Sequence, residues 1–125
     1  MSLPDILIID DSPTNLKLLR VLLLSEGFSV RSAVHAAQAL AELERSVPDA
    51  ILTDLQLPDM DGLELTRRIK ADPRFATVPV VAVTAFAMVA DRQQALAVGC
   101  ADYISKPIDT RLLPGLLRGL LARRL

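Results

Sequence analysis

Five side chains stand at the ends of short apolar runs, where chemistry is commonly done. Ile6-Leu7-Ile8-Ile9 stops at Asp10-Asp11, Ala50-Ile51-Leu52-Thr53 at Asp54, the run Val78 to Val83 at Thr84, and Tyr103-Ile104-Ser105 at Lys106. If these runs are neighbouring strands, three carboxylates, a hydroxyl and an ammonium converge on one edge of a sheet. Clustered carboxylates repel, at about 4 kcal/mol for two unit charges ~4 Å apart at an effective dielectric near 20. Three persist ionised only with a cation among them. Oxygen-only ligands that leave several waters in place favour magnesium, with manganese suited to the same donors. The sole histidine, His35, precedes the second helical segment, away from this edge, so zinc is not expected. An aspartate beside magnesium can act as a nucleophile toward phosphorus, while the metal shields the incoming phosphoryl oxygens from the carboxylates. A lysine adds a second positive point charge, and a threonine hydroxyl can donate to a phosphoryl oxygen. The set reads as a device that accepts a phosphoryl group.

The elements that must position these groups follow from hydrophobic pattern. The first and fourth runs are nearly continuous in Ile and Val, as in parallel strands buried on both faces. A weaker run lies at Ser29-Val30-Arg31. Helical patterns alternate with the runs: Thr14–Glu26 with Pro13 near its start and Gly27 past its end, Ala36–Arg45, Leu63–Ala71 stopped by Asp72-Pro73, Ala90–Val98 with Asp91 as cap, and Thr110–Arg124 with Asp109 as N-cap and Pro114 in its first turn. Five strand–helix alternations predict one α/β domain spanning residues 1–125, a parallel sheet with helices on both faces and no output domain in this chain. In such a sheet ligands bind beyond the C-terminal strand ends, where the five side chains stand.

Composition narrows the function classes. The chain has 125 residues, 51% of them apolar, with 14 Lys+Arg against 15 Asp+Glu and a net charge of −1. A chain of this size buries enough surface to fold without disulfides, and Cys100 is its one cysteine. Near-zero net charge argues against a nucleic-acid or anionic-membrane partner. Aromatics at 3% argue against a stacking platform for single strands. The longest apolar stretch, Val78 to Ala90, contains Pro79 and Thr84 and is shorter than the ~20 residues of a membrane span. With no basic leader before an apolar run, the cytoplasm is the expected compartment.

The sequence resembles the receiver domains of bacterial two-component response regulators. The resemblance rests on Ile8-Ile9-Asp10-Asp11, Thr53-Asp54-Leu55-Gln56-Leu57-Pro58-Asp59-Met60-Asp61-Gly62, Val80-Val81-Ala82-Val83-Thr84-Ala85-Phe86 and Tyr103-Ile104-Ser105-Lys106-Pro107, four motifs in order over essentially the whole chain. It implies a flavodoxin-like sheet of strand order 2-1-3-4-5. It makes Asp54 the phosphoacceptor and Asp11 the direct metal ligand, with Asp10, Asp54 and the backbone carbonyl of Gln56 in the same magnesium site. It makes Thr84 the switch hydroxyl, Ala85 a small neighbour that keeps the site open, Lys106 the phosphoryl contact and Tyr103 the aromatic that follows Thr84. It also implies a cis bond between Lys106 and Pro107, consistent with the confinement of cis bonds to proline. Single-domain cell-division regulators and hybrid-kinase receivers look most similar. The implied activity is acceptance of a phosphoryl group from a histidine kinase or phosphotransfer protein, self-modification rather than enzymatic turnover.

Other residues take plainer readings. Asp59 and Asp61 read as turn chemistry, His35 as part of the turn before the second helix, Cys100 as a small packed group and Asn15 as solvated. The first helix holds more apolar side chains than one stripe can bury. With Leu16, Leu19, Leu22 and Leu23 on the sheet, Val21 and Leu24 point toward Lys17 and Arg20. The resemblance implies that this helix docks the histidine-bearing partner. It places the output or self-association face on helix four, strand five and helix five, including Met88, Val89, Arg92 and Arg111. Two other functions share parts of the pattern. An aspartate-nucleophile phosphatase of haloacid dehalogenase type needs a second Asp two residues after the first, where Asp10 is followed by Ser12. A flavodoxin-like FMN module needs a phosphate loop after strand one, where Asp10-Asp11 would repel the phosphate.

Overall fold

A computed structural model describes residues 3–85 and 89–123, the side chains of residues 89–91 excepted. Strands β1 (Asp5–Ile9), β2 (Ser29–Ala33), β3 (Ala50–Asp54), β4 (Val80–Thr84) and β5 (Asp102–Ser105) alternate with helices α1 (Pro13–Ser25), α2 (Ala36–Arg45), α3 (Gly62–Ala71), α4 (Val89–Ala97) and α5 (Leu113–Arg123). The sheet order is β2-β1-β3-β4-β5, and each pairing is parallel. The fold class is therefore the flavodoxin-like one expected.

Alternate residues of the central strands feed two separate cores. Leu7, Ile9, Ile51, Val80 and Ala82 pack with Ala36, Ala39 and Leu43 of α2, Leu65 and Ile69 of α3, and Ala95 of α4. Ile6, Ile8, Ala50, Leu52, Val81 and Val83 pack with Leu19 and Leu23 of α1 and Leu113, Leu117 and Leu120 of α5. Strands apolar at every position are thus explained by helices on both faces. Each fully buried Leu or Ile contributes about 1.5–3 kcal/mol relative to exposure. Among the described residues, no helix is long and apolar enough to cross a membrane.

The ends of elements depart from expectation where proline or capping decides. α5 begins at Leu113 rather than Thr110. Pro114 has no N–H and fits only the first turn, and the preceding residues form turns in which the Asp109 carbonyl accepts from the N–H groups of Leu112 and Leu113. β4 begins at Val80, two residues later than the apolar run, because Pro79 cannot donate to a ladder. Asp91 lies inside α4, which starts at Val89, and so is not its cap. Gly27 holds a φ of 89° just past α1, a conformation glycine adopts without steric cost. Phe86 and Met88 lie outside the described residues.

Candidate functional site

The acidic cluster forms where β1 and β3, adjacent in the sheet, both end. Asp10 and Asp54 are buried, at 3% and 5% exposure, and Asp11 is exposed. One carboxylate oxygen from each of Asp10, Asp11 and Asp54 lies within 4.8 Å of the others. An all-oxygen set of this spacing and charge fits a hard divalent cation. Lys106, carried past the end of β5, reaches back over the cluster. Its Nζ donates to Asp54 Oδ2 at 2.7 Å and to Asp10 Oδ2 at 3.4 Å. Burial, which opposes the ammonium, is the largest influence on Lys106, but the hydrogen bond to Asp54 and the charges of Asp10 and Asp54 outweigh it and raise its pKa.

Backbone donors fix the two buried carboxylates. Asp10 Oδ1 accepts from the Ser12 N–H at 2.8 Å, and Asp54 Oδ1 from the Gln56 N–H at 2.9 Å. Gln56 stands two residues past Asp54 in the β3–α3 loop, where the Gly62 N–H donates to the Leu55 carbonyl. Thr84 is buried, at 1% exposure, and pairs with Ser105 in the β4–β5 register. Its carbonyl accepts from the Lys106 N–H at 2.7 Å. Ala85, next to it, is exposed. The Lys106–Pro107 bond is cis. Tyr103, 9% exposed, already belongs to the buried cluster on the α2–α4 face.

Two residues play parts that their local sequence did not signal. Asn15 is not merely solvated as expected from sequence: its Nδ2 donates to Asp10 Oδ2 at 3.4 Å. Pro13 and the Ser12 cap start α1 immediately after the acidic pair, so the first turn carries Asn15 back over Asp10. The (i, i+5) spacing across a helix start was the available clue. Asp59 is not ordinary turn chemistry: its carboxylate accepts from the N–H groups of Ala36 and Ala37 at 2.8 and 3.0 Å. Those bonds hold its pKa below the usual carboxylate value. Asp61 does cap its own helix, accepting from the Leu63 N–H, and His35 caps α2 from just past the end of β2, on the same sheet edge as the acidic cluster rather than away from it. Cys100 packs in the core, and burial raises its thiol pKa against the lowering effect of a Thr66 hydrogen bond.

The model of the response regulator receiver domain matches residues 6–118. The chain belongs to this family. The polar-differentiation response regulator DivK of Brucella anthropi is 41% identical over 104 residues, 83% of this chain and 85% of DivK. The response regulator PleD of Caulobacter vibrioides is 40% identical over 115 residues, which are 92% of this chain but 25% of PleD. Among solved structures, the receiver domain of a Pseudomonas aeruginosa sensor histidine kinase, with a magnesium ion coordinated in its active-site cleft, superposes with a TM-score of 0.87 at 34% identity, covering 98% of this chain and 99% of that one. Receiver domains are signalling modules of two-component systems, generally non-enzymatic, that bind magnesium at an acidic pocket and work with histidine kinases or phosphotransfer proteins and with effectors. Neither the phosphatase nor the flavin alternative is favoured.

Proposed function

We propose that this chain, as a single receiver unit, accepts a phosphoryl group on Asp54 from a phosphohistidine of a kinase or phosphotransfer protein. The observation that carries this reading is the convergence of Asp10, Asp11 and Asp54 within 4.8 Å, with Lys106 Nζ 2.7 Å from Asp54. Asp10, Asp11, Asp54 and the Gln56 carbonyl would hold magnesium, or manganese in its place. When bound, the metal neutralises charge on the carboxylates and on the phosphoryl oxygens.

Asp54 supplies the attacking oxygen. The new bond is O–P, and the bond that breaks is P–N of the donor, whose imidazole leaves. Gln56 N–H, on Oδ1, orients the carboxylate. Lys106 supplies positive charge to the transferring group, and Ala85 leaves the entry unobstructed. Thr84 then donates its hydroxyl to the attached phosphoryl group. Tyr103, at 9% exposure, is the aromatic that would follow Thr84 inward, changing the surface of α4. The switch is a local charge change biasing a two-state element.

The exposed side chains of α1, Leu18 at 53%, Val21 at 62% and Leu24 at 48%, support docking of the donor on this helix. Arg92 and Arg111, both exposed, support an output or self-association face on α4, β5 and α5; Met88 and the Val89 side chain, assigned to it from sequence, lie outside the described residues. The near-neutral charge supports a protein rather than nucleic-acid partner. The test is transfer of labelled phosphate from a phosphohistidine donor: wild type takes label, and Asp54→Asn takes none while unfolding as wild type does. Normal labelling of Asp54→Asn would place the acceptor elsewhere.

A further inference from the structure

In the first turn of α2 the N–H groups of Ala36, Ala37 and Gln38 have no partners inside the helix, the first intrahelical bond running from Ala39 N–H to the His35 carbonyl. One is met locally, Gln38 N–H by His35 Nδ1 at 3.0 Å. The other two, Ala36 and Ala37, both donate to the carboxylate of Asp59, which comes from a different loop. α2 has no acidic residue in its own first turn. Asp59 therefore supplies both the missing acceptors and the negative charge that a helix N-terminus favours.

This contact closes a ring around the acidic cluster. Asp59 sits in the β3–α3 loop, between Gln56 and the start of α3. That loop is already tied at Asp54 Oδ1 by Gln56 N–H and at Leu55 by Gly62 N–H. On the other side, Ala36 directly follows the β2–α2 turn, and Ala33 at its start accepts from the Asp10 N–H at 3.0 Å. The path therefore runs from Asp10 through Ala33 and Ala36 to Asp59, and back along the loop through Gln56 to Asp54. Without the Asp59 bonds, nothing described spans from the middle of the loop to α2 by hydrogen bond.

We propose that Asp59 is a positioning residue for the cation site: by clamping the β3–α3 loop to the N-terminus of α2, it fixes the Gln56 carbonyl relative to Asp10, Asp11 and Asp54. The inference rests on the magnesium site proposed above. Removing a group that orients a metal ligand typically costs 10–100-fold in affinity. Acting through a loop, Asp59 belongs at the lower end, about tenfold.

The test is magnesium titration by calorimetry of the unphosphorylated chain, with urea unfolding alongside. Asp59→Ala breaks both bonds and removes a charge. Asp59→Glu keeps the charge and displaces the carboxylate. Ala37→Pro removes one donor at an exposed first-turn position, where proline is tolerated, with no change of charge. The clamp predicts that all three weaken magnesium binding, Asp59→Ala most, by about tenfold, and Asp11→Ala more than any of them. If Asp59→Glu and Ala37→Pro bind as wild type does, Asp59 acts only as a charge and the inference fails. If unfolding midpoints fall while all affinities stay unchanged, the contact is structural alone, and the inference fails again. A wild type that binds no magnesium removes the proposed metal site itself, and this inference with it.

Discussion

Gly62→Ala sets two opposing effects against each other at the base of the site. A Cβ at this position would lie 2.5 Å from the Asp54 carbonyl oxygen and 2.5 Å from Leu55 Cα. Ordinary contact begins at 3.4 Å, so the loop must open by about 0.9 Å. Both neighbours are backbone atoms, which cannot swing aside as a flexible side-chain end would. Overpacking of this kind costs about 1–3 kcal/mol. Against it stands the better helix propensity of alanine, worth at most about 1 kcal/mol and less at the first residue of α3. Sterics win, and the net destabilisation is about 1–2 kcal/mol. At a urea slope near 2 kcal/mol/M the midpoint falls by about 0.5–1 M. The displaced atoms carry Asp54 itself, and a misplacement near 1 Å can cost about 10²-fold in rate. Labelling from acetyl phosphate should slow correspondingly. A Gly62→Ala chain with an unchanged or raised midpoint and wild-type labelling would show that the loop yields freely, and would refute the view that the end of β3 is rigidly seated on α3.

Lys106→Ala removes the ammonium from two buried carboxylates and should lower stability by about 1–3 kcal/mol, the range for losing a charge-assisted hydrogen bond. Urea melts should show magnesium restoring much of that loss; an equal loss with and without the ion would deny that metal and lysine neutralise the same charges. The raised Lys106 pKa gives the sign with pH. Its contribution is complete below the unfolded value of about 10.5 and is lost as pH rises through the folded value, so alkaline melts of wild type and Lys106→Ala should converge. On α1, Leu23→Ala, at 0% exposure, should cost about 2–5 kcal/mol, whereas Val21→Ala, at 62% exposure, should stay within about 0.5 kcal/mol. Val21→Ser should slow labelling from the protein donor but not from acetyl phosphate; equal slowing with both would remove α1 from the docking surface.

Much of this arrangement is written locally. Short apolar runs, helices punctuated by Pro13, Gly27 and Gly99, and an Asp, Thr or Lys after four of the five runs specify β-α alternation. Parallel topology then brings the strand ends to one edge, so Asp10, Asp11, Asp54 and Lys106 were legible before any coordinates. Such signals act within about four residues, because helix periodicity, capping and turn chemistry do. What tertiary packing alone decided are contacts between distant stretches. The Asp59 carboxylate meets an N–H 23 residues away in sequence, and no pattern near Asp59 distinguishes that from a solvated turn. Helical spacing already turned Val21 and Leu24 outward, but that Leu18 joins them, at 53% exposure, depends on how α1 packs in the second core. The need for glycine at position 62 arises from the backbone passing beneath it. The physical reason is common to all three: a side chain's nearest neighbours across a packed interface are set by the register of whole elements, and that register exists only once both faces of the sheet are covered.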